Sequence, residues 1–138
     1  MLSRLRIFLL LACILYIPTA FSGDKLSPLK VDGATTIDAA KAKQLFEDGV
    51  VFIDVRDDND WDAGRIPGAE HLELKHRFTE IALEEITPKQ EPLVFYCNGE
   101  KCLRSSEASK QAVSWGFAKI YYFRDGYPAW KDAGYPVE

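Results

Sequence analysis

A cysteine that ends an apolar run and is followed at once by glycine and cations has the surroundings of a nucleophile. Cys97-Asn98-Gly99-Glu100-Lys101-Cys102-Leu103-Arg104-Ser105 follows the run Leu93-Val94-Phe95-Tyr96 and leads into a helical pattern. A sulfur placed there faces the positive end of a helix dipole and a set of backbone N–H groups. Both stabilise a thiolate, so the Cys97 thiol is expected below the free-cysteine value of about 8.5. Lys101 and Arg104 add direct positive charge, and Glu100 opposes them if it points inward. The same donors suit an incoming oxyanion such as a sulfonate. The opposing reading is an inert buried thiol at a strand end, common for free cysteine. Gly99 and the two cations, where more core would otherwise follow, weigh against it.

Cys102 is a second thiol five positions on. It either pairs with Cys97 or serves as a small apolar filler. Bridging needs Cβ atoms ~3.5–4.5 Å apart, a distance that spacing alone leaves open. Asp54 and Arg56 end another apolar run, where a buried carboxylate and guanidinium must find partners, so they read as an anchoring pair that orients either the cysteine loop or the turn that follows them. Asp57, Asp58, Asp60 and Asp62 read as the acidic start of a helix rather than a metal site. His71 and His76 lack metal-ligand spacing with the cysteines, and no metal is expected. Trp61, Trp115 and Trp130 read as packing residues, Trp130 with a second placement at the site mouth.

The elements that must hold these residues follow from periodicity. Residues 50–53, 93–96 and 120–123 are continuous apolar runs, the mark of strands covered on both faces. Helices are expected over 39–48, capped by Asp38 with Ala40, Leu45 and Phe46 on the apolar face, over 105–115, over 77–85 and over 128–133. A short strand is expected at 70–74. Strands alternating with helices imply a parallel sheet and right-handed crossovers. The expected fold is α/β, a three-layer parallel central sheet flanked by helices. Sites in such sheets lie beyond the carboxyl ends of the strands. Asp54-Val55-Arg56, Cys97-Asn98-Gly99 and Arg124-Asp125-Gly126 occupy those places.

The chain has 138 residues, suited to one domain, and a formal charge of −4 without a basic stripe, which argues against a nucleic-acid partner. Its start differs from the rest. Arg4 and Arg6 precede an apolar run over 7–17, then Pro18 and Ala20-Phe21-Ser22. That order is the layout of a secretory signal peptide over 1–22, and the run is too short for the ~20 residues that span a bilayer. A linker over 23–34 and a domain over 35–138 are expected, in a periplasmic or secreted protein with no membrane span after cleavage. Leu10-Leu11-Ala12-Cys13 offers the alternative of a lipoprotein anchored at Cys13.

Several separated motifs resemble one family. Val51-Phe52-Ile53-Asp54-Val55-Arg56, Trp61 and Gly64-Arg65-Ile66-Pro67-Gly68-Ala69 resemble the first signature of rhodanese domains. Phe95-Tyr96-Cys97-Asn98-Gly99 with Arg104-Ser105 resembles the second. Gly116-Phe117, Asp125-Gly126-Tyr127-Pro128-Ala129-Trp130 and Gly134-Tyr135-Pro136-Val137 resemble the family's C-terminal part. The resemblance implies a rhodanese-like fold and a thiosulfate sulfurtransferase-like enzyme. Cys97 would take sulfane sulfur from a small sulfur-containing anion, hold a persulfide, and pass the outer sulfur to cyanide, a thiol or a protein acceptor. Asn98 to Ser105 would form the substrate-binding loop, and no cofactor is needed. Two alternatives accompany it: a thiol–disulfide redox protein using Cys97 and Cys102, and a non-catalytic sulfur carrier or binding module.

The sequence departs from the family pattern in three places. Cys102 stands where the family loop has a cation, and Arg104-Ser105 comes two residues later, so the loop is longer. Related phosphatases and arsenate reductases place five residues between cysteine and arginine, where this chain has six, so oxyanion chemistry is a weaker alternative. A persulfide on Cys97 could be resolved by Cys102. Arg65 replaces the histidine usual before Ile-Pro-Gly, at a position that reads as structural.

Overall fold

The computed structural model describes residue 23 and residues 25–138; the expected signal peptide and the Cys13 anchor lie outside these. Five parallel strands form one sheet: β1 (Ala34–Thr36), β2 (Val51–Asp54), β3 (Glu70–His71), β4 (Pro92–Tyr96) and β5 (Lys119–Phe123). Their spatial order is β1-β5-β4-β2-β3, which puts β4 in the centre, between β2 and β5. Register is continuous across the middle, with Asp54 beside Tyr96 and Tyr96 beside Phe123. The three apolar runs are thus adjacent strands, and the residues that follow them converge at one end of the sheet.

Helices cover both faces, as expected of a three-layer α/β domain. α1 (Ala39–Glu47) and α5 (Gly126–Asp132) lie on one face, where Ala42, Leu45 and Trp130 pack on Phe52, Val94, Tyr96 and Phe123. α3 (Glu80–Ile86) and α4 (Arg104–Ser114) lie on the other, where Leu83, Ala108 and Ala112 pack on Ile53, Leu93, Phe95 and Ile120. Consecutive residues of β2 and β4 alternate between the two cores, as the pleat requires. α2 (Asp58–Ala63) follows the end of β2 and carries Asp58 and Asp60 in its first turn, the acidic helix start read from the sequence.

Some local expectations are corrected. β1 went unread because three residues of an edge strand, mostly exposed, carry no apolar run. Ala40 is exposed, and Ala42 takes its place on the buried face of α1. α3 begins later than 77 because the Thr79 hydroxyl accepts from the Ala82 N–H and caps the helix there. The strand at 70–74 shortens to Glu70–His71, the part that pairs with β2. The last helix starts earlier, at Gly126. Trp130 is fully buried and donates to the Pro136 carbonyl at 2.6 Å, which removes it from the site mouth.

The stretch read as a linker is tied to the domain. Ser27 is buried, and both its N–H and its hydroxyl donate to the Glu100 carbonyl, at 2.7 and 2.8 Å. The Tyr122 hydroxyl donates to the Pro28 carbonyl at 2.9 Å, and Arg124 Nη2 donates to the Ser27 carbonyl at 3.1 Å. Residues 27 and 28 thus lie against the cysteine loop and the end of β5.

Candidate active site

Cys97 is the first residue past the central strand, and its position is held from two sides. Its carbonyl accepts the Tyr127 N–H at 2.9 Å, which docks the start of α5 against it. Gly126, at φ +62°, permits that approach: a Cβ there would lie 2.9 Å from the Cys97 carbonyl carbon and 3.0 Å from the Gly99 nitrogen. Only glycine takes this backbone at so little cost. Gly99, at φ +109°, starts a turn that the Cys102 N–H closes onto the Gly99 carbonyl at 3.0 Å.

That turn carries the chain back so that Cys97 and Cys102 form a disulfide, with their Cα atoms 6.3 Å apart. The sequence left open whether the two thiols meet, and the fold brings them together. In this oxidised state Cys97 is fully buried and Cys102 half-buried. The open thiolate expected at Cys97 therefore requires reduction of the bond first, since a disulfide sulfur does not titrate.

The loop is anchored to β2 by a buried polar network. Arg56 grips Asp54 with two parallel bonds, Nε to Oδ1 at 3.0 Å and Nη2 to Oδ2 at 2.7 Å. Its remaining donors reach the Gly64 carbonyl at 2.7 Å and the Asn98 side-chain oxygen at 3.3 Å. The guanidinium also lies over the Tyr127 ring, 4.5 Å from its centroid. Burial disfavours the charge on Arg56, but hydrogen bonds and attraction from Asp54 outweigh it, so the group is held above its ordinary value. The pair read as an anchor is one, and its reach to Asn98 gives it the loop as cargo. Asn98 in turn donates to Asp60 of α2 at 2.6 Å. Burial and the negative Asp54 push the Tyr96 hydroxyl above its ordinary range, so it stays protonated beside this network.

The other loop residues fall in several places. Glu100 points outward, its carboxylate 3.7 Å from Arg124, so it does not oppose a thiolate from within. Lys101 is exposed. Arg104 lies 3.6 Å from Asp57, the residue that caps α2, so its charge is shared with a carboxylate rather than reserved for the sulfur. Asp57 itself is held below its ordinary value, chiefly by the Asp60 N–H it accepts and also by Arg104. Asp57 and Arg104 border an open polar groove with Lys75, His76 and Arg77. α4 starts after Leu103, which supplies no side-chain cap, so its first N–H groups face the loop end without that acceptor. Ser105, in the first turn, is 1% exposed, and its hydroxyl has no hydrogen-bond partner. An uncapped helix start with an unpartnered buried hydroxyl suits an anion or a polarisable sulfur.

Sequence reasoning missed several contributors. Asp60 looked like one acid among many, yet it holds Asn98. His71 Nε2 lies 2.9 Å from the Arg56 carbonyl, and its ring stacks on Trp61 with centroids 4.5 Å apart, so it braces the network from outside. Ser27 seemed part of a linker. None carries a local signal, because each acts through a partner far away in the chain. Arg65 stacks on Trp61 and exchanges backbone bonds with Glu138, consistent with a structural position. Among the described residues no cluster has a metal-ligand arrangement, and no helix is long and apolar enough to cross a membrane.

Comparison with known proteins places this geometry. The family model described as rhodanese-like domain matches residues 38–133. A thiosulfate sulfurtransferase GlpE of Pseudomonas syringae is 32% identical over 99 residues, covering 71% of this chain and 87% of its own. An HTH-type transcriptional regulator of Mycobacterium tuberculosis is 29% identical over 107 residues, but the chain spans only 45% of its length. Among solved structures, the rhodanese-like domain of an Anabaena protein superposes with a TM-score of 0.64 at 27% identity, covering 75% of this chain and 77% of that one.

Proposed function

The chain belongs to the rhodanese-like domain family, and we propose that it works as a sulfurtransferase carrying sulfane sulfur on Cys97. The observation that carries the reading is the placement of Cys97. It stands just past the carboxyl end of the central strand, on the loop leading into a helix start with no side-chain cap and an unpartnered buried hydroxyl at Ser105.

The reacting form is the reduced one. The Cys97 thiolate attacks the outer sulfur of a donor such as thiosulfate. The S–S bond of the donor breaks, sulfite leaves with the electron pair, and Cys97 keeps a persulfide. A thiophilic acceptor, cyanide or a thiol, then attacks the outer sulfur and the thiolate is regenerated. On this reading the α4 N–H groups and the Ser105 hydroxyl hold negative charge on the persulfide and on the departing sulfite. The likeness to proteins named thiosulfate sulfurtransferase supports thiosulfate as donor.

Intact mass and sulfite release of reduced protein after incubation with thiosulfate test this. The expected result is release of sulfite by the wild type and, in Cys102→Ser, a gain of about 32 Da, one sulfur atom, that vanishes with cyanide; Cys97→Ala shows neither. No gain in reduced Cys102→Ser and no sulfite from the wild type would overturn the reading.

The Cys97–Cys102 disulfide favours a second reading, dithiol–disulfide exchange. Loss of insulin-reduction activity in both Cys97→Ala and Cys102→Ala, with no sulfite released from thiosulfate by any variant, would select it. The proposal extends to location. The basic, apolar and small-residue order of residues 1–22 supports export, as does a disulfide suited to an oxidising compartment. Edman sequencing of the protein recovered from outside the cytoplasm should start at Gly23; recovery of uncut chain in the cytoplasm would refute export.

A further inference from the structure

We propose that Cys102 resolves the Cys97 persulfide and releases its outer sulfur as hydrosulfide, so that the site is also a sulfane-sulfur reductase. The inference rests on the sulfurtransferase reading and adds a second fate for the bound sulfur.

The geometry supports attack on the inner sulfur. The turn closed by Cys102 N–H and the Gly99 carbonyl brings the Cys102 sulfur to bonding contact with that of Cys97. The loop carrying both is held at several points: Asn98 by Arg56 and Asp60, the Glu100 carbonyl by Ser27, and the Cys97 carbonyl by the Tyr127 N–H. The approach is therefore built into the fold. Cys97 is fully buried while Cys102 is half-buried. An outside thiol must diffuse to the Cys97 sulfur, whereas Cys102 is already beside it, and intramolecular placement gives such a group a large effective concentration.

The step balances without an outside reagent. The Cys102 thiolate attacks the Cys97 sulfur of the persulfide, the bond to the outer sulfur breaks, and hydrosulfide leaves with the electron pair. Both cysteines are oxidised to the disulfide and the sulfane sulfur is reduced. Resetting the site needs an external dithiol. One of its thiols attacks the more exposed Cys102 sulfur and Cys97 leaves as thiolate. The second thiol then frees Cys102 and carries away the two electrons. Over one cycle thiosulfate and a dithiol yield sulfite, hydrogen sulfide and a disulfide.

Pre-reduced, desalted full chain mixed with thiosulfate under argon, without reductant, provides the test. The wild type should release about one sulfite and one hydrosulfide per chain and end about 2 Da below its reduced mass. Cys102→Ser should release sulfite but no hydrosulfide and keep a gain of about 32 Da. Cys102→Ala serves as a second variant should the serine disturb folding. A wild type that holds the added sulfur and releases no hydrosulfide would overturn this inference while leaving the sulfurtransferase reading intact. Absence of sulfite from every variant would overturn both.

Discussion

The Arg56 guanidinium and the Asn98 side-chain oxygen meet at 3.3 Å, and through this contact the end of β2 holds the loop that follows β4. Asp54 is fully buried and depends on Arg56 for its charge partner. Arg56→Met should therefore destabilise the fold by about 3–5 kcal/mol, the usual cost of an uncompensated buried charge, read from urea unfolding. Asn98→Ala should cost roughly 1 kcal/mol or less, since Asn98 is exposed, yet slow sulfur loading of Cys97 several-fold. Equal loss of stability in both variants would refute this division.

Gly126 and Gly49 make a matched pair. Both have positive φ, +62° and +80°, but a Cβ at Gly126 meets the Cys97 and Gly99 backbone, while one at Gly49 meets nothing within 4 Å. Gly49→Ala should cost about 1 kcal/mol from backbone preference alone. Gly126→Ala should cost roughly 2 kcal/mol or more and depress sulfur transfer. Chemical denaturation with a parallel activity assay compares them, and a Gly126→Ala protein with wild-type activity would contradict the docking of α5 on Cys97.

Reduction should have opposite effects on stability and on activity. The disulfide closes a short loop, with a sequence separation of 5. On the chain-entropy view its loss costs about 2 kcal/mol. The reduced chain should accordingly unfold at lower urea, while thiosulfate:cyanide sulfur transfer should be absent before reduction and present after it. Full activity in protein whose disulfide is verified intact by mass would defeat this expectation.

Glu73 supplies a pH dependence. Burial favours its neutral form, but the N–H groups of Lys75 and His76 and the His76 ring outweigh that, so it is held below its ordinary value of 4.5. A carboxylate lowered by folding stabilises the protein above its unfolded-state value, and that contribution is lost as pH falls through the folded one. Glu73→Gln should destabilise by roughly 1 kcal/mol at pH 7, with the gap to wild type closing below pH 4.5. A gap that stays constant to acid pH would show that the ionised form plays no part.

Much of the fold was readable in the chain because its signals are local. Three apolar runs marked the three strands that became neighbours, β2, β4 and β5, since a strand covered on both faces must be apolar throughout. β1 was invisible for the converse reason: at the sheet edge, Ala34-Thr35-Thr36 needs no apolar run. Ala40 and Ala42 could not be told apart because a shift of two residues on a helix is a matter of which side finds the sheet.

Composition and spacing by themselves determined the α/β class, the place of Cys97 at a strand end and the pairing of Asp54 with Arg56, because each depends on residues close in the chain. Only the tertiary structure decided that Cys102 turns back onto Cys97, that Asn98 joins Arg56 to Asp60, and that Ser27 grips the Glu100 carbonyl across 73 positions. Those are distances between atoms brought together by chain crossovers and turns, and no local pattern of residue types encodes such a distance.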